Sequence, residues 1–384
     1  MRPILFYGGA VVLPEGLVGQ GWVLVQDGRI VDLGRGAPSV SLLRRAEPLD
    51  LAGAALAPGL LDLHVHGALG CDTMDGDPEA LRTMARFYAT HGVTGFLATT
   101  MTAPISEIHR ALGAVREVMA TGSGGAALLG AHLEGPFIDV SHAGAQATEH
   151  VLPASPDAYG PLLETGVVRI LTLAPEAEGC PELIRVARSQ GVVVSMGHTG
   201  ADFDTAMQGI SAGVTHATHL YNAMSPVLHR APGAAGAALV RPEVTCELIV
   251  DLVHLHPAVV ALALRAKGPE GIALITDGMS GVGMPDGDYV LGGLPVHVQQ
   301  GVARGANGAL AGSTLTLERA VLNMSLATGL PWEAALPMAT RVPARILQLA
   351  TGDIRVGHVA DLMVVEADRT VSLTMVRGQV VWRQ

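Results

Sequence analysis

Lysine is almost missing from this chain of 384 residues: Lys267 stands alone, and lysine and arginine together number 24 against 35 acidic residues. The formal net charge at pH 7 is therefore −11. Because the chain contains no run of basic residues, nucleic acid and anionic membrane surfaces are excluded as expected partners. An anionic small molecule would need a local cluster of basic groups.

Cysteine is also scarce. Cys71, Cys180 and Cys246 lie far apart and form no CxxC pair, which argues against a disulfide framework or a thiolate zinc site. This favours a reducing compartment, so we expect a cytoplasmic protein. The chain has no apolar run of about 18 residues, the length that a membrane-spanning helix needs. The early stretch ILFYGGAVVL contains two glycines and leads into a hairpin pattern, so we interpret it as a strand.

Short apolar segments alternate with helical stretches through the middle of the chain. The apolar segments are LLDLHVH, TGFLATT, AALLGAHLEGP, VVRILTLAP, VVVSMGHTG, THATHL, TCELIVDLVH and IALITDGMS. Stretches such as DPEALRTMARFYATHG and PELIRVARSQG have the pattern of amphipathic helices that end at glycine. Eight such units predict an α/β fold, a (β/α)8 TIM-like barrel, with a doubly wound open sheet as the alternative.

Both ends of the chain are rich in strand patterns. WVLVQDGRIVDLG places Asp27-Gly28 between two alternating runs, and LTMVRGQVVWRQ repeats this pattern around Arg377-Gly378. A two-residue link of this kind predicts a β-hairpin. We expect the two ends to form a small β-sandwich domain, residues 1–56 and 353–384, beside a barrel domain of residues 57–352.

Two histidines interrupt the apolar strand LLDLHVHGALG. Side chains repeat every two residues along a strand, so His64 and His66 share one face with Asp62. A single buried histidine is usually a hydrogen-bonded core residue. Two parallel imidazoles also fit a metal site, since imidazole binds Zn, Fe and Ni.

Further polar side chains fall at the ends of other predicted strands. Glu134 ends the third, His198 the fifth, His219 the sixth and Asp277 the eighth. In a barrel these ends meet at one mouth. A nitrogen and oxygen ligand set without cysteine fits catalytic Zn or Fe. Such a metal lowers the pKa of bound water and polarises a carbonyl, and Asp277 would serve as the base.

The motifs HLEGPF, GHT, THLYNAM, ITDGM and LAGSTLT, together with the HxH strand, resemble the N-acetylglucosamine-6-phosphate deacetylases of the metal-dependent amidohydrolase superfamily. The resemblance covers nearly the whole chain. It implies a barrel paired with a β-sandwich built from both chain ends. It also implies hydrolysis of the N-acetyl group of N-acetylglucosamine 6-phosphate, with glucosamine 6-phosphate and acetate as products, in a homodimer.

The resemblance also implies roles for individual residues. Glu134, His198 and His219 match the main metal ligands, and Asp277 matches the catalytic acid/base. His64 and His66 match a pair that some members keep, which would add a second metal with Glu134 as the bridge. One or two divalent ions, Zn or Fe, are therefore expected. Lys267 is not at a strand end, which disfavours a modified lysine as the bridging ligand.

The resemblance further identifies residues that bind the phosphorylated amino sugar. Arg230 and His254 match phosphate contacts that can come from the neighbouring subunit. Gln146 stands where some members have His, and its role stays open. His132 shares a strand face with Glu134, and we expect it only to support the ligands. The full set of candidate substrate residues is Asn222, Ala223, Arg230, His254, Gln146 and Leu310.

The same residues leave three other functions to consider. N-acetylgalactosamine 6-phosphate is an alternative substrate, and so is a cyclic amide or peptide of the kind that dihydroorotase-like relatives use. The lack of a bridging lysine disfavours the cyclic amides. A non-catalytic scaffold should have lost metal ligands or the aspartate, and this chain keeps all of them.

Overall fold

The computed structural model describes residues 2–384. The strands are β1 (Ile4–Leu13), β2 (Gly16–Gln26), β3 (Arg29–Arg35), β4 (Glu47–Asp50), β5 (Ala55–Pro58), β6 (Leu60–Val65), β7 (Gly67–Ala68), β8 (Cys71–Asp72), β9 (Val93–Thr99), β10 (Ala127–Glu134), β11 (Val168–Leu173), β12 (Val193–Met196), β13 (His216–Ala217), β14 (Thr245–Ile249), β15 (Ile272–Ile275), β16 (Gly287–Leu291), β17 (Leu294–Gln299), β18 (Val302–Gly305), β19 (Leu362–Val365), β20 (Val371–Val376) and β21 (Gln379–Arg383). The α-helices are α1 (Val40–Arg45), α2 (Pro78–Thr90), α3 (Ile105–Thr121), α4 (Pro156–Leu163), α5 (Cys180–Ser189), α6 (Phe203–Ala212), α7 (Gly233–Val240), α8 (Pro257–Lys267), α9 (Leu317–Thr328), α10 (Trp332–Ala335) and α11 (Arg341–Ile346). Short 3-10 helices cover Thr73–Asp75, Val140–His142, Thr148–His150, Pro269–Gly271 and Leu336–Ala339.

Eight parallel strands form the central sheet in the order β6-β9-β10-β11-β12-β13-β14-β15. Its two edges meet just beyond β15, where Val65 forms a parallel bridge with Gly278. The backbone N–H of Asp277 also donates to the carbonyl of His64 at 2.9 Å. The sheet is therefore a ring. The predicted (β/α)8 barrel is confirmed, and the open doubly wound sheet is wrong.

The helices follow the predicted local signals. The Asp77 side chain accepts a hydrogen bond from the N–H of Glu79 at 3.0 Å, and Pro78 opens α2 with a φ that suits the first turn. The helix ends before Gly92, whose φ is 78°. The second predicted helix, PELIRVARSQG, is present as α5. Within residues 2–384, no helix combines the length and apolar character that crossing a bilayer requires.

Strands from both chain ends form a second sheet in the order β21-β20-β19-β5-β1-β2-β3, with β4 also paired to β1. Asp27 and Gly28 both have positive φ, at 50° and 78°, and so do Arg377 and Gly378, at 49° and 76°. Positive φ at both central residues is the geometry of the tight turns that match strand twist. Both predicted hairpins are thus confirmed.

This second sheet has a core separate from that of the barrel. Phe6, Val23 and Ile30 from the early strands pack with Leu362 and Leu373 from the late ones. Neither end could bury these side chains alone, which is why both contribute to the small β-sandwich domain. The exact boundaries stay a prediction. Strand β5 continues to residue 58, two residues past the boundary predicted at residue 56.

A three-stranded antiparallel sheet, β16-β17-β18, lies between β15 and α9 in the chain. None of the sequence patterns described above predicts it. Its first strand alternates between partly buried and exposed positions and ends at the buried Leu291, which is 2% exposed. Leu291 lines the cavity at the mouth of the barrel, so this inserted sheet forms one wall of the site.

Candidate metal centre and active site

The polar residues predicted at strand ends meet at the carboxyl end of the barrel. His64 lies near the end of β6, and Glu134 is the last residue of β10. His198, His219 and Asp277 each follow their strand by two residues. Glu134, His198, His219 and Asp277 line a cavity of about 290 Å³ together with His66. His64 is fully buried beneath this cavity.

Glu134 divides these side chains into two groups. Its Oε1 atom lies 3.1 Å from Nε2 of both His198 and His219, and those two nitrogens are 3.2 Å apart. Its Oε2 atom faces Nε2 of His66 at 3.4 Å. One carboxylate therefore touches both groups, as the resemblance implied for a bridging ligand.

The second group contains both histidines of the HxH strand. Nε2 of His64 lies 3.2 Å from Nε2 of His66. Oδ1 of Asp277 is 3.4 Å from the first of these nitrogens and 3.1 Å from the second. Nε2 of His64 also approaches Oε1 of Glu134 at 3.5 Å.

These spacings fit metal binding. Zinc–nitrogen bonds of 2.0–2.1 Å in a tetrahedron place neighbouring ligand atoms about 3.3 Å apart, close to the separations within both groups. His198 donates its Nδ1 proton to the carbonyl of His142 at 3.0 Å, which turns its Nε2 atom towards Glu134 and His219. A single cation can satisfy all three converging atoms, whereas a proton satisfies only one pair.

Electrostatics favour a cation at the same place. Burial disfavours charge on Glu134 and Glu247, but nearby imidazoles, His64 foremost, hold the pKa of both carboxyls well below the ordinary value. Burial alone would lower the pKa of His66, yet hydrogen bonds with Asp277 and Glu134 raise it to about 9. No lysine or arginine of residues 2–384 lines the cavity. The carboxylates therefore need positive charge from protons or from metal ions.

Unusual backbone conformations concentrate at the site. His198, His219 and Asp277 have φ values of 48°, 30° and 51°, in the left-handed region that residues other than glycine rarely adopt. Tyr221 and Ala223, which follow His219, also have positive φ. Such conformations cost about 1–3 kcal/mol each and persist where surrounding structure enforces them, which is typical of functional sites.

Gln146 holds Glu134 in place. Its Nε2 group donates to Oε2 of Glu134 at 2.9 Å, and its Oε1 atom accepts a hydrogen bond from the backbone N–H of Thr102 at 2.6 Å. Gln146 also lines the cavity. The structure thus adds an orienting contact to the open role of this residue.

Two residues behind the predicted ligands, Glu247 and His216, belong to none of the predicted site motifs. Glu247 is fully buried in β14, with Oε2 at 3.1 Å from Nδ1 of His64 and Oε1 at 3.0 Å from Nε2 of His216. The available signal was a carboxylate inside the apolar strand TCELIV, where an unpaired charge would be costly.

His132 and Asp62 support the ligands without joining them. Nδ1 of His132 donates to the carbonyl of Leu63 at 3.1 Å, and its ring packs edge-on against His64. Burial, followed by the charge of His64, lowers the pKa of His132 to about 3, so its ring is neutral. Asp62 accepts a hydrogen bond from the hydroxyl of Thr276 at 2.7 Å, which joins the two edge strands of the barrel.

The candidate substrate residues separate into two sets. Asn222, Ala223, His254, Gln146 and Leu310 line the cavity. Arg230 is exposed and is not among the lining residues of the described chain. Lys267 lies at the end of α8, where its Nζ donates to the carbonyls of Ala238 and Arg241, away from the metal ligands.

Comparison with known proteins agrees with this geometry. The profile of the Amidohydrolase family matches residues 55–381. The chain therefore belongs to the amidohydrolase family, whose members are metal-dependent hydrolases.

Within this family the chain is similar to sugar-phosphate deacetylases. It is 40% identical over 343 residues to the N-acetylglucosamine-6-phosphate deacetylase of Vibrio furnissii, covering 88% of this chain and 86% of the relative. It is 36% identical over 372 residues to the N-acetylgalactosamine-6-phosphate deacetylase of Escherichia coli O157:H7, covering 94% and 96%.

A solved structure resembles the whole chain. A variant of the N-acetyl-D-glucosamine-6-phosphate deacetylase of Mycobacterium smegmatis, in complex with N-acetyl-D-glucosamine 6-phosphate, superposes with a TM-score of 0.93 at 33% identity. The match covers 99% of this chain and 100% of that one.

Proposed function

We propose that this chain hydrolyses the N-acetyl group of N-acetylglucosamine 6-phosphate to glucosamine 6-phosphate and acetate. The observation that carries the proposal is the convergence of Glu134, His198, His219 and Asp277 on one cavity. The similarity to deacetylases over nearly the whole chain supports the same substrate class. The reaction belongs to the use and recycling of amino sugars.

Glu134, His198 and His219 would hold one divalent metal, and His64 and His66 would hold a second with Glu134 between them. When bound, a divalent metal polarises a carbonyl and lowers the pKa of water. The nitrogen and oxygen donors, with no thiolate, fit Zn or Fe, and we propose one or two ions per chain.

Asp277 is the acid/base of the reaction. Its carboxylate takes a proton from the attacking water while the water oxygen forms a bond to the acetyl carbon. It then gives this proton to the sugar nitrogen as the carbon–nitrogen bond breaks. Burial alone would raise the pKa of Asp277, but the neighbouring His64 and His66 lower it, so the carboxylate begins in the basic form.

The sugar lies against the side of the cavity formed by Asn222, Ala223 and Leu310. His254 lines the cavity, and its Nδ1 is held by Oδ2 of Asp251 at 2.7 Å, which leaves Nε2 to face a phosphate. Arg230 lies outside this lining, which fits a phosphate contact made across the interface of a homodimer. A cytoplasmic location is part of the proposal, because Cys71, Cys180 and Cys246 lie far apart in the chain and form no CxxC pair.

N-acetylgalactosamine 6-phosphate is the second candidate substrate, favoured by the similarity to the Escherichia coli deacetylase. The two sugars differ only in the orientation of one hydroxyl. A site built to hydrogen-bond a hydroxyl discriminates against an analogue that cannot make the contact. A comparison of kcat/KM for the two phosphorylated sugars decides between them.

The test of the proposed function is acetate release by the purified chain, with its metal content measured by elemental analysis. We expect turnover of N-acetylglucosamine 6-phosphate that a strong chelator abolishes and that added Zn or Fe restores. Absence of acetate release from both phosphorylated sugars by the metal-loaded chain would contradict the proposal.

A further inference from the structure

Glu247 occupies an unusual position below the metal ligands. It lies in the middle of β14, is fully buried, and is flanked by Cys246 and Leu248. A carboxylate in such a place is costly unless its oxygens are hydrogen-bonded. Both oxygens of Glu247 are in fact used, so the contacts that it makes are the reason for its presence.

One oxygen of Glu247 serves both metal groups. Oε2 accepts from Nδ1 of His64 at 3.1 Å and from the backbone N–H of His219, also at 3.1 Å. The other oxygen, Oε1, accepts from Nε2 of His216 at 3.0 Å. A single buried carboxylate therefore contacts one ligand of each group.

The contact with His64 sets the state of its ring. Because Glu247 accepts the proton on Nδ1, the ring presents Nε2 to His66, Glu134 and Asp277. The other tautomer would place a proton on Nε2, where a metal has to bind. A carboxylate that holds a ligating histidine in this way fixes both its tautomer and its orientation.

The contact with His219 acts on the backbone. His219 has a φ of 30°, which only surrounding structure can enforce. The hydrogen bond from its N–H to Glu247 is one such restraint, and the ring of His219 then reaches Oε1 of Glu134 at 3.1 Å. Glu247 thus restrains the backbone of His219, whose imidazole belongs to the group formed with His198 and Glu134.

A further group of potential ligand atoms, His64, His132 and Glu247, does not form a third metal site. Both ring nitrogens of His132 already have partners, the carbonyl of Leu63 and the hydroxyl of Thr172. His132 and Glu247, which lie below the cavity, therefore orient the predicted ligands and do not bind a third ion.

We propose that Glu247 is a positioning residue that prepares His64 to bind a second metal through Nε2. This inference rests on the metal-dependent function proposed above, but its consequences are measured without substrate. If Glu247 served only as a buried partner for His216, its replacement would not change which nitrogen of His64 binds metal.

The first test is metal binding by Glu247→Gln. Glutamine keeps the size of the side chain but replaces one acceptor oxygen with an N–H donor. We expect the affinity for the second metal equivalent, measured by chelator competition with Zn, to fall by about 10- to 100-fold, while the first equivalent stays bound. The matched control is Glu243→Gln, which removes an exposed carboxylate near the start of the same strand.

The second test separates positioning from stability. In a His64→Asn background, Glu247→Gln should cause no further loss of affinity for the second metal equivalent, because the ring that it orients at that site is gone. An equal loss in both backgrounds would mean that Glu247 acts on the fold and not through His64.

The third test uses the wild-type chain, so it does not depend on the folding of a variant. NMR of the zinc-loaded enzyme labelled with ¹⁵N-histidine should show a proton on Nδ1 of His64, assigned by its loss in His64→Asn. A proton on Nε2 of that ring would overturn the proposal, as would unchanged second-site affinity in folded Glu247→Gln or a wild-type chain that binds one metal only. A chain that passes these tests yet releases no acetate would refute the deacetylase function and leave the role of Glu247 standing.

Discussion

Oδ1 of Asp277 lies 3.1 Å from Nε2 of His66, and these residues follow the last and first strands of the barrel, β15 and β6. The backbone reinforces this contact, since the N–H of His66 donates to the carbonyl of Gly278 at 2.8 Å. Closure of the barrel therefore places Asp277, the proposed acid/base, directly beside the HxH pair. Any chemistry at the second group of ligands takes place within reach of Asp277.

Asp277→Asn should keep metal binding but lose most turnover. The amide cannot take a proton from water, and general acid/base catalysis contributes about 10²–10⁴-fold. We expect kcat on N-acetylglucosamine 6-phosphate to fall by this factor, with metal per chain unchanged by elemental analysis. Asp157→Asn, an exposed aspartate in α4, is the matched control. A variant with nearly wild-type kcat at saturating substrate would remove Asp277 from the mechanism.

Replacing His64 and His66 with asparagine should remove the second metal. Only Glu134 and Asp277 would then face that position, while the group of His198 and His219 keeps its donors. We expect the metal content per chain to fall from two to one if both sites are filled in the wild type. The control double variant replaces the exposed His109 and His297. Unchanged stoichiometry would exclude a second site at the HxH pair.

Gln146→Met should weaken metal binding and destabilise the chain together. The substitution keeps the volume but removes the donor to Glu134 and the acceptor for the N–H of Thr102. A buried group left without its partner costs about 1–3 kcal/mol, which denaturant unfolding of the metal-free chain measures directly.

The matched control for this change is Gln190→Met, at an exposed position after α5. If Gln146→Met alters only the KM for the sugar, and neither metal affinity nor stability, then Gln146 acts on substrate and not on Glu134.

Arg230→Ala should reduce kcat/KM for N-acetylglucosamine 6-phosphate by about 10- to 100-fold. The chain carries a net charge of −11, so its overall field repels a sugar phosphate and local donors have to overcome it. Charge-assisted hydrogen bonds contribute about 1.5–3 kcal/mol each. Unphosphorylated N-acetylglucosamine never uses the contact, so its turnover should barely change.

Arg116→Ala removes the same charge from an exposed position on α3 and controls for the net field. An equal loss on both sugars would mean that Arg230 supports the fold or the dimer. Sedimentation of the wild-type chain and of Arg230→Ala tests the proposed homodimer independently.

The sequence alone determined the features that depend on neighbouring residues. The pair Asp27-Gly28 predicts a hairpin because both residues tolerate positive φ, and the structure has it. The two-residue period of a strand places His64 and His66 on one face, and their Nε2 atoms are indeed 3.2 Å apart. The rule that parallel strands end at one mouth of a barrel then brings distant residues such as Glu134 to the same site.

Only the tertiary structure decided which partners meet across long separations. His64 and Glu247 are 183 positions apart, and they touch because curvature of the sheet turns both side chains into the barrel interior. The bond from Gln146 to Glu134 depends on how the loop after β10 folds back over the strand ends. Such contacts follow from the closure of the ring and the packing of loops, which no local pattern of residues encodes.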